Sequence, residues 1–427
     1  MTTYWAPLLH IYQPPTQEIQ ILKLVNKDCY KPLFSIIDDY ENAKFCLNIN
    51  GVLIELLYEY GLADTMELIK KLVAEDKIEI MGTAKFHPIL PLIPEKEVKH
   101  QIKMNEVINR REFGDFWKPM GFFPPEMAVS PDVIKIIQEL GYKWIILSGI
   151  ACPVDWPYNQ IYASENGLQL LFRDDILSNK ISFKNIKAKE FVKNVKHLFL
   201  PEKNSKADKD INSNKYLITA MDGETFGHHI KLYEKTFLAK VLELLSNDTE
   251  KGKGDNVEIV FISELDKYFP RSKKNINPRE SSWSTNYDDI VSKVPYPLWK
   301  HPANNIHKYY WKIMKSLNQL MNIAEKLDFT ENWDVQNYYN TARYLYDRGI
   351  YSCPTWWSNP QHGMWSPNLI YKGVELLLKS ALNAQMALVH AGDDSGEGYF
   401  DSISYYHGLL LMELYSITKS NLKNKKN

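Results

Sequence analysis

Four cysteines are all that the 427 residues contain, and Cys29, Cys46, Cys152 and Cys353 stand far apart with no CxxC pair. That spacing offers neither a zinc site nor a disulfide framework, so reduced structural thiols are expected. Charge of one sign is lacking too: 51 Lys and Arg face 52 Asp and Glu, a formal net charge of −1. With no basic field and no acidic tail, nucleic acid is not an expected partner. No apolar run approaches the ~20 residues that span a bilayer, so no membrane partner is expected. The opening "MTTYWAPLLHIYQPP" has neither a basic start nor a small-residue cleavage site, which sets a cytoplasmic expectation. Neither GxGxxG nor GxxxxGK[ST] occurs, so a nucleotide site has no support. HxxxH and HExxH are missing, and His228 and His229 are adjacent rather than a helical turn apart. No metal and no cofactor are therefore expected. There is no internal repeat.

What is present begins with length, which suits two or three domains, or one large barrel with an attachment. Aromatic residues make up 13%, with 11 Trp and 26 Tyr. Such a surplus serves core, interface or a platform for sugar rings. Seven short, nearly continuous apolar runs read as strands: 4–12, 44–50, 77–82, 120–126, 143–149, 215–224 and 257–263. Helical patterns such as "TMELIKKLVAED" and "SPDVIKIIQELG" separate them. Alternating strands and helices point to βαβ units and a parallel sheet, and seven strands favour closing it into a barrel. The polar stretches 201–214 and 246–256 read as solvated loops. "PRSKKNINPRESS" (270–282) reads as the end of the barrel. After it four helical patterns suggest a bundle, and the tail 419–427 is expected to fray. The expected domains are 1–282, a catalytic α/β barrel, and 283–427, a helical domain contributing to the substrate cleft.

Chemistry should gather past the C-terminal ends of the strands. The first run ends in His10, Tyr12 and Gln13. The second ends in Asn48 and Asn50. Phe86 and His87 follow the third, and Glu126 follows two prolines at the fourth. The sixth, in "LITAMDGETFGHH", ends in Asp222 and Glu224 with His228 and His229 beyond. Two carboxyl groups among histidines, amides and aromatics suit glycoside cleavage, where one acts as nucleophile or base and the other as acid. The prolines would hold Glu126 rigidly, and Gly223 would let a ligand approach Asp222 closely. Plainer roles stay open: Glu126 as a helix N-terminal carboxylate, Asp222 as an Asx-turn residue. Trp283, Trp299, Trp356, Trp357 and Trp365 lie in or near the helical part, as sugar-stacking candidates or as core.

"HIYQPP", "IEIMGTAKFHPILPLI", "GFFPPEMAVS" and "MDGETFGHH", in that order, resemble successive signature regions of glycoside hydrolase family 57. "SSWSTNYDDI" and "PYPLWKHPANNIH" extend the likeness beyond the barrel. The resemblance implies a (β/α)7 barrel, a distorted TIM-like fold, with a C-terminal helical domain. It implies a retaining hydrolase or transglycosylase on α-1,4-glucans, with an α-glucan or maltooligosaccharide as partner. Glu126 matches the family nucleophile and Asp222 the acid/base. Tyr12 between His10 and Gln13 is a small departure from the first signature. Substrate-binding roles are implied for His10, Gln13, His87, Glu224 and His228, and are expected of Asn50, Trp283 and Trp357. An anionic Glu126 beside Asp222 is expected to raise the Asp222 carboxyl by like-charge repulsion and desolvation. The competing readings are a metal-dependent polysaccharide deacetylase on a similar barrel and a non-catalytic carbohydrate-binding protein. Oligomeric state is not legible.

Overall fold

The structure, a computed structural model, describes residues 2–118, 120–154, 158–197, 214–249, 256–330 and 332–424. Most of the expected loop 201–214 and residues 250–255 of the second loop lie outside the described residues. The chain divides into two compact units. One takes Met1–Lys85 and Leu90–Trp283, the other Phe86–Ile89 and Ser284–Asn427.

Among the described residues the first unit has ten strands: β1 (Thr2–Ile11), β2 (Phe45–Ile49), β3 (Ile78–Ile80), β4 (Gly121–Phe122), β5 (Trp144–Ser148), β6 (Ile161–Ala163), β7 (Gln169–Arg173), β8 (Lys215–Asp222), β9 (Asn256–Ile259) and β10 (Arg271–Asn275). Each of the seven expected runs contains a strand. β6, β7 and β10 lie outside the expected set. β7, "QLLFR", is fully buried and should have been legible as an apolar run. β10, "RSKKN", is mostly exposed at a sheet edge, where charge protects against pairing with another chain, so its composition imitates a loop.

One sheet runs β3-β2-β1-β8, all parallel. β9 pairs with Thr2–Trp5 of β1, whereas β2 pairs with Leu8–Ile11. The second sheet runs β10-β6-β7-β5-β4, parallel except for β6 against β7. The backbone joins the two sheets at both ends. Gly82 N–H donates to Gly121 O and Phe123 N–H to Gly82 O, each at 2.8 Å, between β3 and β4. Asp174 N–H donates to Ile218 O at 2.8 Å, between β7 and β8. The unit is thus α/β, its sheets flanked by capped amphipathic helices. In Pro131–Glu139, for example, Ser130 accepts from Val133 N–H and Pro131 opens the first turn, while Val133, Ile134, Ile136 and Ile137 are buried.

Alternate residues of the strands enter one apolar cluster: Tyr4, Ala6 and Leu8 of β1, Cys46 of β2, Trp144 and Ile146 of β5, Leu171 of β7, and Tyr216, Ile218 and Ala220 of β8. Side chains alternate between faces along a strand. The next positions in these rows are therefore His10, Asn48, Ser148, Arg173 and Asp222. Every apolar row ends in a polar residue at the C-terminal end of its strand. Glu79 interrupts the pattern lower down. It sits opposite Cys46 and accepts from Ser263 Oγ at 2.8 Å, and its burial pushes the carboxyl up to about 7.

The second unit is helical, with Asn305–Ala324, Trp333–Gly349, Pro367–His390 and Glu397–Asn424 in the four expected places. Asn304 and Asn332 cap the first two, accepting from backbone N–H groups. A small hairpin, β11 (Ser358–Asn359) with β12 (Met364–Trp365), interrupts the helices. The last helix continues through Lys419 to Asn424, where fraying was expected; residues 425–427 lie outside the described residues.

Candidate active site

Five strands, β1, β2, β5, β7 and β8, deliver the polar tier. β1 and β8 are in register so that His10 lies opposite Asp222, and β1 and β2 so that His10 lies opposite Asn48. His10 is buried; its Nδ1 lies 2.5 Å from Asn48 Oδ1, so the neutral ring presents Nε2 as its acceptor. The ring stacks on Phe123 at 4.9 Å and meets Trp283 edge-on at 5.8 Å. Burial pushes the imidazole below its ordinary value, against the pull of Asp222.

Glu126 stands in a tight turn after Pro124 and Pro125. Both Glu126 and Met127 have left-handed backbones, with φ of 59° and 49°. Such conformations cost non-glycine residues ~1–3 kcal/mol and gather at functional sites. Trp283 holds the residue twice: its N–H donates to Glu126 O at 3.1 Å, and its indole Nε1 donates to Glu126 Oε2 at 2.8 Å. The carboxylate is thereby tied to the ring that touches His10 and Phe123.

Asp222 ends β8. Burial raises its carboxyl; a proton on His10 and the positive charge of Arg173 would each lower it. The rise expected from the sequence is present, and desolvation, one of its two expected causes, is the largest influence. Glu224, two residues on, feels Asp222. Burial first and the negative Asp222 second push Glu224 up to about 7. Its Oε1 accepts from Tyr30 OH at 2.5 Å, Gln13 Nε2 at 3.2 Å and Tyr12 N–H at 3.3 Å. Gly223, expected to admit a ligand, instead admits the protein: a Cβ there would come within 2.5 Å of Ile11 Cγ2.

Two residues of this centre escaped sequence reasoning. Arg173 is buried and clamped by Ala220 O at 2.7 Å, Asp175 Oδ1 at 2.8 Å and Asn179 Oδ1 at 2.9 Å, with its guanidinium 5.8 Å from a Trp283 ring. The charged triplet closing the apolar run "LQLLFRDD" was its signal. Tyr30 lies in the π-helical turn Asn26–Tyr30, and nothing local marks it.

His10, Gln13, Glu126, Asp222, Glu224 and Trp283 thus belong to one connected centre. The other expected residues differ. Asn50 is fully buried at the start of helix Gly51–Glu59, its Nδ2 donating to Ala84 O at 2.6 Å. His228 lies in the turn beyond, near His229, Lys231 and Asp28, and burial lowers its imidazole. His87 belongs to the second unit, where it is buried with φ 58° and its Nδ1 lies 3.0 Å from Ser352 Oγ. Trp357 also belongs to the second unit, edge-on to Trp356 at 4.8 Å. Among the described residues no three His, Cys, Asp or Glu side chains could hold a metal ion, and no helix is long and apolar enough to cross a membrane.

Two carboxyl groups in unlike settings, beside an arginine, a histidine and stacked rings, are the equipment of sites that handle glycosidic bonds. The chain belongs to glycosyl hydrolase family 57, whose sequence profile matches residues 6–277. It is 26% identical over 334 residues to an α-amylase of Pyrococcus horikoshii, covering 74% of this chain and 46% of that protein. It is 22% identical over 278 residues to a 4-α-glucanotransferase of Thermococcus litoralis, covering 62% and 38%. The chain spans about half the length of the Pyrococcus horikoshii and Pyrococcus abyssi α-amylases, 46% and 49%. The crystal structure of a family 57 branching enzyme from Pyrococcus horikoshii shares the fold, with a TM-score of 0.69 at 14% identity over 97% of this chain and 94% of that one.

Proposed function

We propose that this chain cleaves or transfers α-1,4-linked glucosyl units with retention of configuration. The observation that carries the reading is the contrast between its two carboxyl groups. The indole N–H of Trp283 favours the anion of Glu126, the form a nucleophile needs. Burial raises Asp222 towards the protonated form an acid needs. In the first step a Glu126 oxygen attacks the anomeric carbon while Asp222 gives its proton to the leaving glycosidic oxygen. Glu126 is then an ester, and Asp222, now ionised, takes a proton from water or a sugar hydroxyl that attacks the same carbon, breaking its bond to Glu126 and releasing that carboxylate. Trp283 orients the nucleophile, His10 and Arg173 bear on the Asp222 charge, and Glu224 with Gln13 lines the adjoining wall. Asn50 is assigned to holding the Ala84 segment. In this reading β1, β2, β3, β4, β5, β7 and β8 form a closed seven-stranded barrel. The support is the backbone bonding that joins the two sheets at both ends. β7, rather than the expected 257–263 run, supplies the seventh strand.

Glu126→Gln and Asp222→Asn test the assignment on maltooligosaccharides, with products resolved by chain length. Each variant should lose several orders of magnitude in turnover while keeping its circular dichroism. Full activity in either variant sinks the nucleophile and acid/base roles. In the wild type, products longer than the substrate mean transfer, and glucose with maltose alone means hydrolysis.

A further inference from the structure

The helix Glu397–Asn424 buries one face, carrying Ile403, Leu410 and Leu414, in its own unit beside the helix Asn305–Ala324. Its opposite face is exposed among the described residues. There Gly398, Asp401, Tyr405, Gly408, Met412, Tyr415, Lys419 and Leu422 succeed one another at spacings of 3, 4, 3, 4, 3, 4 and 3, and all eight are exposed. Tyr405, Met412, Tyr415 and Leu422 are 63%, 70%, 68% and 58% exposed, which is unusual for bulky apolar side chains in a regular row. Coiled-coil helices meet along a 3-4 spacing of apolar residues, and four of these eight positions are bulky and apolar. The row runs for about 37 Å, roughly seven turns.

We propose that a second copy of this chain packs on this seam, antiparallel, about a two-fold axis at the level of Leu410. In an antiparallel pair each first seam position of one helix faces the second of the other. The sequence is self-complementary in that arrangement. Gly398 of one copy faces Leu422 of the other, Asp401 faces Lys419, Tyr405 faces Tyr415 and Gly408 faces Met412. Each bulky aliphatic side chain meets a glycine, and a Cβ at Gly398 or Gly408 would have open space around it, so among the described residues nothing fills those gaps. Each negative charge meets a positive one, twice by symmetry. A parallel pair would set Asp401 against Asp401, Lys419 against Lys419 and glycine against glycine, losing both kinds of fit.

Sedimentation velocity on the full chain, from below to above micromolar, tests this. The wild type should sediment at twice its 49.8 kDa mass. Met412→Lys puts a charge into the glycine gap and should weaken the dimer at least ~100-fold, with unchanged circular dichroism. Asp401→Lys alone should weaken it about tenfold, and Asp401→Lys with Lys419→Asp should restore it. That restoration is specific to the antiparallel register. A wild type monomeric throughout overturns the proposal. So does a dimer indifferent to Met412→Lys, or a monomer that instead sediments with anionic phospholipid vesicles.

Discussion

Glu79→Gln should make the first unit more stable at pH 8 and leave it nearly unchanged at pH 4. The carboxyl is buried between Cys46 and Ser263, and its pKa stands at about 7 against an ordinary 4.5. Below 4.5 the folded and unfolded chains both keep the proton, so titration makes no difference to stability. As pH rises from 4.5 to 7 the unfolded chain ionises first, and the folded state loses stability at about 1.4 kcal/mol per pH unit. The loss is therefore about 3 kcal/mol, and it levels off above pH 7. Glutamine keeps the shape and still accepts from Ser263, but does not titrate. The stability of the variant minus that of the wild type should climb by about 3 kcal/mol between pH 4 and pH 8. Urea unfolding at unit pH intervals measures it, and taking the difference cancels the histidines, which titrate in both chains. A constant difference across that range would falsify the claim that the fold holds Glu79 protonated.

Tyr30→Phe removes a donor to Glu224. A hydrogen bond to a charged group is worth ~1.5–3 kcal/mol, so the Glu224 carboxyl should rise by about 1–2 units from about 7. Infrared difference titration of the protonated carboxyl reads the shift, and an unmoved midpoint refutes the coupling. Gly227→Ala should destabilise the first unit by roughly 3 kcal/mol or more, because φ is +112° and the new Cβ would lie 2.0 Å from Asp28 O; an unchanged melting temperature contradicts this. A substrate-analogue complex should hold the Glu126 and Asp222 carboxyl groups about 5–5.5 Å apart, and proton NMR of early turnover should show the α-anomer first. A gap near 9 Å with a β-anomer first product removes Glu126 from the nucleophile role.

The strand ends were legible because a buried parallel strand is a short apolar run, and a polar residue directly after it stands out. His10, Asn48, Glu126 and Asp222 were found that way. Arg173 was missed because its strand went uncounted, and Tyr30 because it reaches Glu224 from a helix 194 residues away in the chain. No local pattern reports such a contact. The pressure of Asp222 on Glu224 went unread for a related reason. Spacing shows which carboxyl groups exist, but burial and the aim of each side chain decide which of them interact. His87 shows the limit of position in the chain, since it comes only seven residues after β3 and yet belongs to the helical unit.

Phe86–Ile89 carries a consequence for how this architecture can be inherited or dissected. Four residues from the first quarter of the chain are integral to the helical unit, where Arg348 lies over Phe86 and Ser352 N–H donates to His87 O. Cutting the gene after Trp283 therefore yields no two self-sufficient cassettes: the downstream piece would lack a strut, and the upstream piece would carry four residues with no home. A helical unit built this way is expected to be exchanged only together with the Phe86–Ile89 segment from the first quarter of the chain.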